Sequence, residues 1–138
     1  MKTEKLISTI ITIIVIAIIT SCSNNDDDNT IPSPAPIKSA KFEITGNYTG
    51  QFTVVYNDNV SGNTTVTVTT LPWSKTVEYP NNVIGIGIGG NTILGNPGIA
   101  GQTATLRIYN GNSVVASSTK TADANGIISF QTLAYVFP

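Results

Sequence analysis

The feature that most constrains the fold is a repeated alternation of apolar and polar residues in short runs, which extends from residue 40 to residue 138. Alternation with a period of two residues is typical of half-buried β-strands. Turn-forming residues interrupt these runs about every eight to twelve residues, as in β-sandwiches and barrels, and no segment has helical periodicity. We therefore predict an all-β domain over residues 40–138, an immunoglobulin-like antiparallel β-sandwich of about seven to eight strands.

Two of the predicted strands meet at Pro72, next to the only tryptophan of the sequence. Proline cannot donate a hydrogen bond to a sheet, so we expect the chain to bend there. After the bend, Trp73, Val77 and Tyr79 share one face of the second strand. Because tryptophan buries a large apolar area, we predict that this face belongs to the core and that Trp73 anchors it. The alternative is an exposed Trp73 that stacks on a sugar or contacts a partner.

Glycine is frequent between residues 83 and 101. Ile84, Ile86 and Ile88 share one face of a strand predicted over residues 83–89, and glycines occupy the other face. A face without side chains indicates close packing or a bulge. Residues 90–101 follow as the longest predicted loop, with apolar residues that we expect to be partly exposed. Long loops are often functional, so this loop is a candidate docking segment for a partner.

The last two strands leave their pairing partly open. Asn110, Gly111 and Asn112 predict a hairpin, with an Asn-Gly turn, a Gly-Asn turn and a three-residue turn as alternatives for its register. In the final strand the apolar residues change parity between Phe130 and Leu133. We expect either a β-bulge or a strand buried on both faces.

Residues 1–21 have the organisation of a lipoprotein signal peptide. Lys2 and Lys5 form a basic start, residues 6–19 are mostly isoleucine, and small residues precede Cys22. Residues 19–22 resemble a bacterial lipobox, whose cysteine is acylated and becomes the mature N-terminus. Cys22 has no second cysteine with which to form a disulfide. We therefore predict lipidation of Cys22 and attachment to the outer membrane, on either its periplasmic or its cell-surface face.

Residues 22–39 are predicted to be a disordered tether. The first half is polar and acidic, and the second half is rich in proline, which favours an extended spacer. Residues 26–28 are three aspartates. They are either a solvated charge run or a segment that resembles the acidic export signal of Bacteroidetes surface lipoproteins.

Charge and composition argue against several classes of function. Residues 40–138 contain four basic and four acidic residues, so no basic patch for nucleic acid is expected. Histidine is absent, which excludes Ser-His triads and histidine metal sites. Residues 85–90 match the dinucleotide-binding pattern G-x-G-x-x-G, but no helix is predicted after them, so the match is not meaningful. Residues 57–59 are polar but lack the ligand spacing of a calcium-binding loop. We predict no enzyme activity, no cofactor and no metal site, although a carboxylate pair remains possible among Glu43, Asp58, Glu78 and Asp123.

Residues 71–75, Leu-Pro-Trp-Ser-Lys, resemble a motif of the mycobacterial MmpS family of membrane-linked transport accessory proteins. Residues 43–46, 54–58 and 106–115 occur in a similar order, so the resemblance spans nearly all of residues 40–138. It implies a β-sandwich that assists large inner-membrane exporters of the resistance-nodulation-division type in lipid and siderophore export. Two features depart from the family. Its members span the inner membrane with a helix, and they tend to carry a cysteine pair whose first member would fall at Leu106.

Three functions are consistent with these patterns. The first is a lipid-anchored, non-catalytic binding or transport-accessory module with an envelope protein or transporter as partner. The second is a structural or adhesive surface domain. The third is a small-ligand or glycan binder, which a pocket lined by Tyr48, Tyr79 or Tyr109 would favour, because sugars stack on exposed rings. Lys75 and Arg107 are expected to be solvated strand residues, with contact to an acidic partner as the alternative.

Overall fold

A computed structural model describes residues 37–138 of the chain. The predicted signal peptide, Cys22 and all but the last three residues of the predicted tether lie outside the described residues. Within residues 37–138, no helix is long and apolar enough to cross a bilayer. The chain forms eight strands: β1 (Lys38–Gly46), β2 (Phe52–Asn57), β3 (Asn63–Val68), β4 (Trp73–Tyr79), β5 (Gly85–Thr92), β6 (Thr103–Asn110), β7 (Ser113–Thr121) and β8 (Ser129–Val136).

The strands form two packed four-stranded sheets in which every paired neighbour is antiparallel. Sheet A has the order β4-β1-β6-β7, and sheet B has the order β3-β2-β5-β8. The prediction of an all-β antiparallel sandwich is therefore confirmed. The strand order differs from that of immunoglobulin constant domains, whose sheets are ABED and CFG.

The core lies between the sheets and consists of the apolar residues that alternate along each strand. Residues without exposed surface come from both sheets, for example Phe42 and Leu106 from sheet A and Phe52 from sheet B. The rings also contact one another across the core: the centroids of Phe42 and Tyr56 are 5.4 Å apart. This separation is in the range of favourable aromatic pairs.

The corner at Pro72 has the predicted bend, and the Leu71–Pro72 peptide bond is cis. Val77 and Tyr79 are buried, which confirms that this face of β4 belongs to the core. Trp73 itself is half-buried and packs against the core, with its ring centroid 6.2 Å from that of Tyr56. Trp73 therefore lies at the rim of the core. Because β4 is an edge strand, no further strand of sheet A covers the outer side of the indole.

A β-bulge and a hairpin turn explain the pairings that the sequence left open. In β8, Leu133 pairs with Ile88 and Phe130 pairs with Gly90, so β8 has one extra residue between the two pairs. The predicted bulge is confirmed, and it lets apolar residues of both parities face the core. The β6–β7 hairpin has the Gly-Asn turn, since Asn110 pairs with Ser113. Gly111 has a φ of 58°, as the first position of a type II′ turn requires.

Three boundaries differ from the sequence-based prediction. The domain begins at Lys38 rather than at residue 40, because Lys38 and Ser39 pair with β4. The strand predicted over residues 83–89 is β5, which begins at Gly85 and continues to Thr92. Its last residues pair with β2, so the loop predicted from residue 90 begins at Ile93. Ile84 precedes the strand and is 74% exposed instead of facing the core with Ile86.

The sandwich has two ends. The proximal end is the one at which Ile37 leads into β1, and it also contains the connections 58–62, 80–84 and 111–112 and the C-terminal residue Pro138. The distal end contains the connections 47–51, 69–72, 93–102 and 122–128. The tether predicted from the sequence therefore enters the domain at its proximal end.

Each edge strand of sheet A carries an exposed lysine at a position where the alternation of the strand directs side chains toward the core. Lys75 of β4 pairs with the buried Phe42, and Lys120 of β7 pairs with the buried Ala104. Residues directly opposite each other in an antiparallel pair point to the same face. A charged residue in this position on an edge strand opposes the addition of a further strand.

Candidate functional site

Charge is distributed unequally between the two sheets. Of the nine charged residues among residues 37–138, none lies on a strand of sheet B, and Asp58 and Asp123 lie in loops. The other seven lie on strands of sheet A: Lys38, Lys41, Glu43, Lys75, Glu78, Arg107 and Lys120. Sheet A is therefore the side of the described domain on which ionic recognition is possible.

Four of the polar side chains on the outer face of sheet A form one contiguous group, Lys41, Glu43, Arg107 and Tyr109, which we call the sheet A cluster. The register of β1 and β6 brings them together, because Glu43 pairs with Arg107 and Lys41 pairs with Tyr109. These residues alternate with buried ones along each strand, so all four point away from the core. The cluster is a direct product of strand pairing in the centre of the sheet.

Glu43 is the centre of the cluster. Its carboxylate is 2.9 Å from Lys41 Nζ and 3.6 Å from Arg107 Nη1, and it accepts a hydrogen bond from Tyr109 Oη at 2.8 Å. Arg107 also donates to Thr45 Oγ1 at 2.9 Å, and Lys41 Nζ lies 4.1 Å from the centroid of the Tyr109 ring. The five side chains therefore hold one another in a fixed arrangement.

The hydrogen bond from Lys41 is the main cause that lowers the pKa of Glu43. Partial burial opposes this effect, while the Tyr109 hydroxyl and the positive charges of Lys41 and Arg107 add to the lowering. A carboxyl group with a lowered pKa stays ionised near neutral pH. Glu43 therefore acts as a fixed anion that orients two cations and does not have the pKa expected of a general acid.

A groove of about 290 Å³ lies beside the cluster on the outer face of sheet A. Lys41 and Tyr109 form one part of its lining, and Ser39, Thr76, Gly111 and Asn112 form the rest. It therefore offers an ammonium group, an aromatic ring, hydroxyls and an amide. Such groups recognise a polar ligand by hydrogen bonds and charge.

The residues named from the sequence have different positions in the structure. Arg107, expected to be solvated, is half-buried and bonded within the cluster, because the neighbouring strand supplies Glu43 and Thr45. Lys75 is exposed, as predicted. Tyr48 and Tyr79 are 3% and 1% exposed and offer no ring surface for a ligand. Tyr109 is the one of the three candidate tyrosines that lines the groove.

The outer face of sheet B is the second candidate surface. It holds a shallow groove of about 420 Å³ where Gly87 and Gly89 leave the strand without side chains. A Cβ atom at Gly89 would lie 3.2 Å from Thr132 Oγ1, so the predicted close packing is present. Asn57 Oδ1 accepts a hydrogen bond from Gly87 N at 2.6 Å, and its Nδ2 donates to Asn63 Oδ1 at 2.6 Å. Much of the hydrogen-bonding capacity of this groove is therefore already used.

The loop at residues 93–102 is firmly attached to the distal end. Gly98 N donates to Gly126 O at 3.0 Å and to Tyr48 Oη at 3.1 Å, and Gln102 Oε1 accepts from Thr49 and Ile99. A Cβ at Gly98 would lie 2.3 Å from the Tyr48 ring. Gly98 therefore packs closely against Tyr48, and removing it would remove these contacts. Leu94 and Ile99 are exposed, as predicted for its apolar residues.

Other motifs have structural explanations. Asp58 Oδ1 accepts hydrogen bonds from Val60 N and Ser61 N, which stabilise the β2–β3 loop. Residues 85–90, which match G-x-G-x-x-G, belong to β5, and a loop follows them. Among residues 37–138, no group of three or more histidine, cysteine or acidic residues is placed to hold a metal ion.

Replacing Glu43 with glutamine should lower the free energy of unfolding by about 0.2–1 kcal/mol near pH 7, as for other partly exposed ion pairs. A carboxyl group whose pKa is lower in the folded protein than in the unfolded chain stabilises the folded protein at pH values above the pKa of the unfolded chain. The difference between wild type and Glu43→Gln should therefore be constant above about pH 5 and disappear as the pH falls below the ordinary value of 4.5. Urea titrations from pH 3 to 8 measure it. A difference that persists in acid would show that the carboxylate charge is not its source.

Comparison of the chain with protein-family models, curated proteins and solved structures gave no match. The function therefore has to be argued from the geometry of the described domain.

Proposed function

We propose that this chain is a lipid-anchored, non-catalytic binding module of the bacterial envelope, and that the sheet A cluster is its contact with a partner. The observation that supports this proposal is the restriction of strand charges to sheet A. The outer face of sheet A carries two cations and two anions, Lys41, Arg107, Glu43 and Glu78, whereas the strands of sheet B carry no charged residue. The other three lysines of sheet A lie on the core-facing side of their strands, opposite the buried Tyr79, Phe42 and Ala104. Charges held at fixed positions on this face favour a partner with a complementary arrangement of charges and disfavour partners without one.

The internal structure of the cluster supports binding rather than catalysis. Each charged group of the cluster already has a partner, and the lowered pKa of Glu43 is unfavourable for proton transfer near neutral pH. Groups that are oriented before binding lose less entropy when a ligand arrives. An envelope protein with charges complementary to this face is therefore the proposed partner, and a transporter is the kind of partner that the MmpS resemblance implies.

Site-specific photocrosslinking in cells tests the proposal. A photoreactive amino acid at Thr76, which lines the groove, should form an adduct with one envelope protein. The same amino acid at Thr65, on the uncharged outer face of sheet B, is the matched control, because both threonines are exposed strand residues. Arg107→Glu should remove the Thr76 adduct, since it reverses the charge at the centre of the face. Equal adducts at Thr65, or an adduct that survives Arg107→Glu, would contradict the proposal.

A second candidate function is the binding of an acidic glycan in the same groove. Tyr109 and Lys41 both line the groove, which favours glycan binding. A sugar ring can stack on the tyrosine while a sugar carboxylate pairs with the ammonium group. Titration of the purified protein with uronic-acid oligosaccharides and with their neutral counterparts tests it. Tyr109→Ala should weaken binding of the acidic sugar, and equal affinity for neutral sugars would contradict a role for the charge.

A further inference from the structure

Exposed large apolar side chains are concentrated at one end of the sandwich. Among residues 37–138, eight such side chains are exposed. Leu94 and Ile99 lie at the distal end, and Val55 lies on the outer face of sheet B. The other five belong to the proximal end: Ile37 (64% exposed), Val60 (88%), Ile84 (74%), Val114 (50%) and Val136 (65%).

Every chain segment that reaches the proximal end supplies one of these five residues. Ile37 precedes β1, Val60 lies in the β2–β3 loop, and Ile84 lies in the β4–β5 connection. Val114 follows the β6–β7 turn, and Val136 is the last residue of β8. Ile37, Val60 and Ile84 lie in the segments that form the end itself, whereas Val114 lies on the outer face of sheet A opposite Tyr109 and Val136 lies on the outer face of sheet B opposite Gly85. Three large aliphatic side chains exposed on separate segments of one end are costly to leave in water.

The charges near this end balance each other. Lys38 and Lys41 lie on the first residues of β1, and they are matched by Asp58 in a loop and Glu78 near the end of β4. Net charge therefore does not distinguish the proximal end. Its exposed aliphatic side chains do, and they are suited to an apolar surface rather than to an ionic one.

The chain that precedes the domain indicates which apolar surface is within reach. Fourteen residues separate Cys22 from Ile37, so the tether can span at most about 50 Å when extended. It enters at the proximal end, which is the part of the domain nearest to Cys22 along the chain. With an acyl anchor at Cys22, contact between this end and the bilayer becomes intramolecular, and a weak apolar contact is then sufficient.

We propose that the proximal end of the sandwich seats on the lipid bilayer, with the side chains of Ile37, Val60 and Ile84 inserted at the boundary between headgroups and acyl chains. This inference rests on the lipid anchor of the proposed function. The seated domain directs the distal end away from the membrane and leaves the outer face of sheet A open at the side.

Single labelled cysteines in the full lipidated protein test the seating. Cys22 is the only cysteine of the sequence, so its acylation leaves an introduced cysteine as the one free thiol. Val60→Cys, Ile84→Cys and Leu94→Cys are each labelled with the environment-sensitive fluorophore NBD. Each protein is reconstituted in vesicles of phosphatidylethanolamine and phosphatidylglycerol with nitroxide-labelled lipid. Leu94 is the matched control because its exposure of 81% is close to the 88% of Val60.

The labels at positions 60 and 84 should show blue-shifted emission and lose most of it to the lipid quencher, whereas the label at position 94 should show neither change. An Ile84→Glu substitution should reduce the response at position 60, and Ile99→Glu, at a residue of similar exposure on the distal end, should not. Flotation of the vesicles is measured first. Protein that does not float would overturn the anchor and the seating together. Protein that floats but responds equally at positions 60 and 94 would overturn the seating alone.

Discussion

Tyr48→Ala should leave the domain unfolded or close to unfolding at room temperature. Tyr48 is 3% exposed, and its ring centroid lies 4.7 Å from that of Phe52. Its hydroxyl lies 2.6 Å from Thr92 Oγ1, donates to Gly126 O at 2.8 Å and accepts from Gly98 N at 3.1 Å. Loss of a buried aromatic ring costs about 3–5 kcal/mol, and unpaired buried groups add about 1–3 kcal/mol. The sum is comparable to the ~5–15 kcal/mol that stabilise a typical domain.

Denaturant unfolding of the purified protein, followed by circular dichroism, measures this effect. Tyr48→Phe keeps the ring and removes only the hydroxyl, so its loss should be about 1–3 kcal/mol. Tyr109→Phe is the control for a tyrosine hydroxyl on the surface and should change the midpoint little. A Tyr48→Ala protein with a wild-type midpoint would show that the distal loops are independent of the core.

Trp73→Ala should reduce the free energy of unfolding by about 3 kcal/mol, the lower end of the range for aromatic residues. The indole is half-buried at the rim of the core, so it loses less apolar contact than a fully buried tryptophan would. Its contact with Tyr56 also disappears. Trp73→Phe should recover about half of this stability, because a smaller ring still contacts Tyr56. The melting temperatures of the three proteins measure these differences.

The fluorescence of the wild-type protein reports on the same residue, since Trp73 is the only tryptophan. Its emission maximum should be at a shorter wavelength than that of the unfolded chain, and acrylamide should quench the emission only partially. Complete quenching combined with a stable Trp73→Ala protein would place the indole on the binding surface instead.

The fold class could be predicted because strand alternation is a local property. Each apolar–polar run marks a strand, and the change of face between Phe130 and Leu133 indicated either a bulge or a strand buried on both faces, of which the structure has the bulge. The ends of strands were less predictable. Residues 90–92 resemble a loop, yet they extend β5 because β2 supplies their hydrogen-bonding partners.

The candidate site could not be predicted from the sequence, because it too depends on which strands pair. Glu43 and Arg107 are 64 positions apart in the sequence, and only the register of β1 with β6 makes them neighbours. The sequence identifies each as a polar-parity residue of a strand, for which solvation is the ordinary expectation. Had the strand order been known, the pairing of Glu43 with Arg107 would have indicated the cluster. Strand order is set by packing over the whole domain and leaves no local pattern.

The lysines on the two edges of sheet A also affect how copies of the protein behave when they are crowded. If sheet A continued from one molecule into the next, Lys75 or Lys120 would be pressed between two cores and lose its hydration. Such a stack would have to bury one ammonium group at every junction, which opposes fibril growth through this sheet. A high local concentration can therefore bring these molecules close together without joining their A sheets into a polymer.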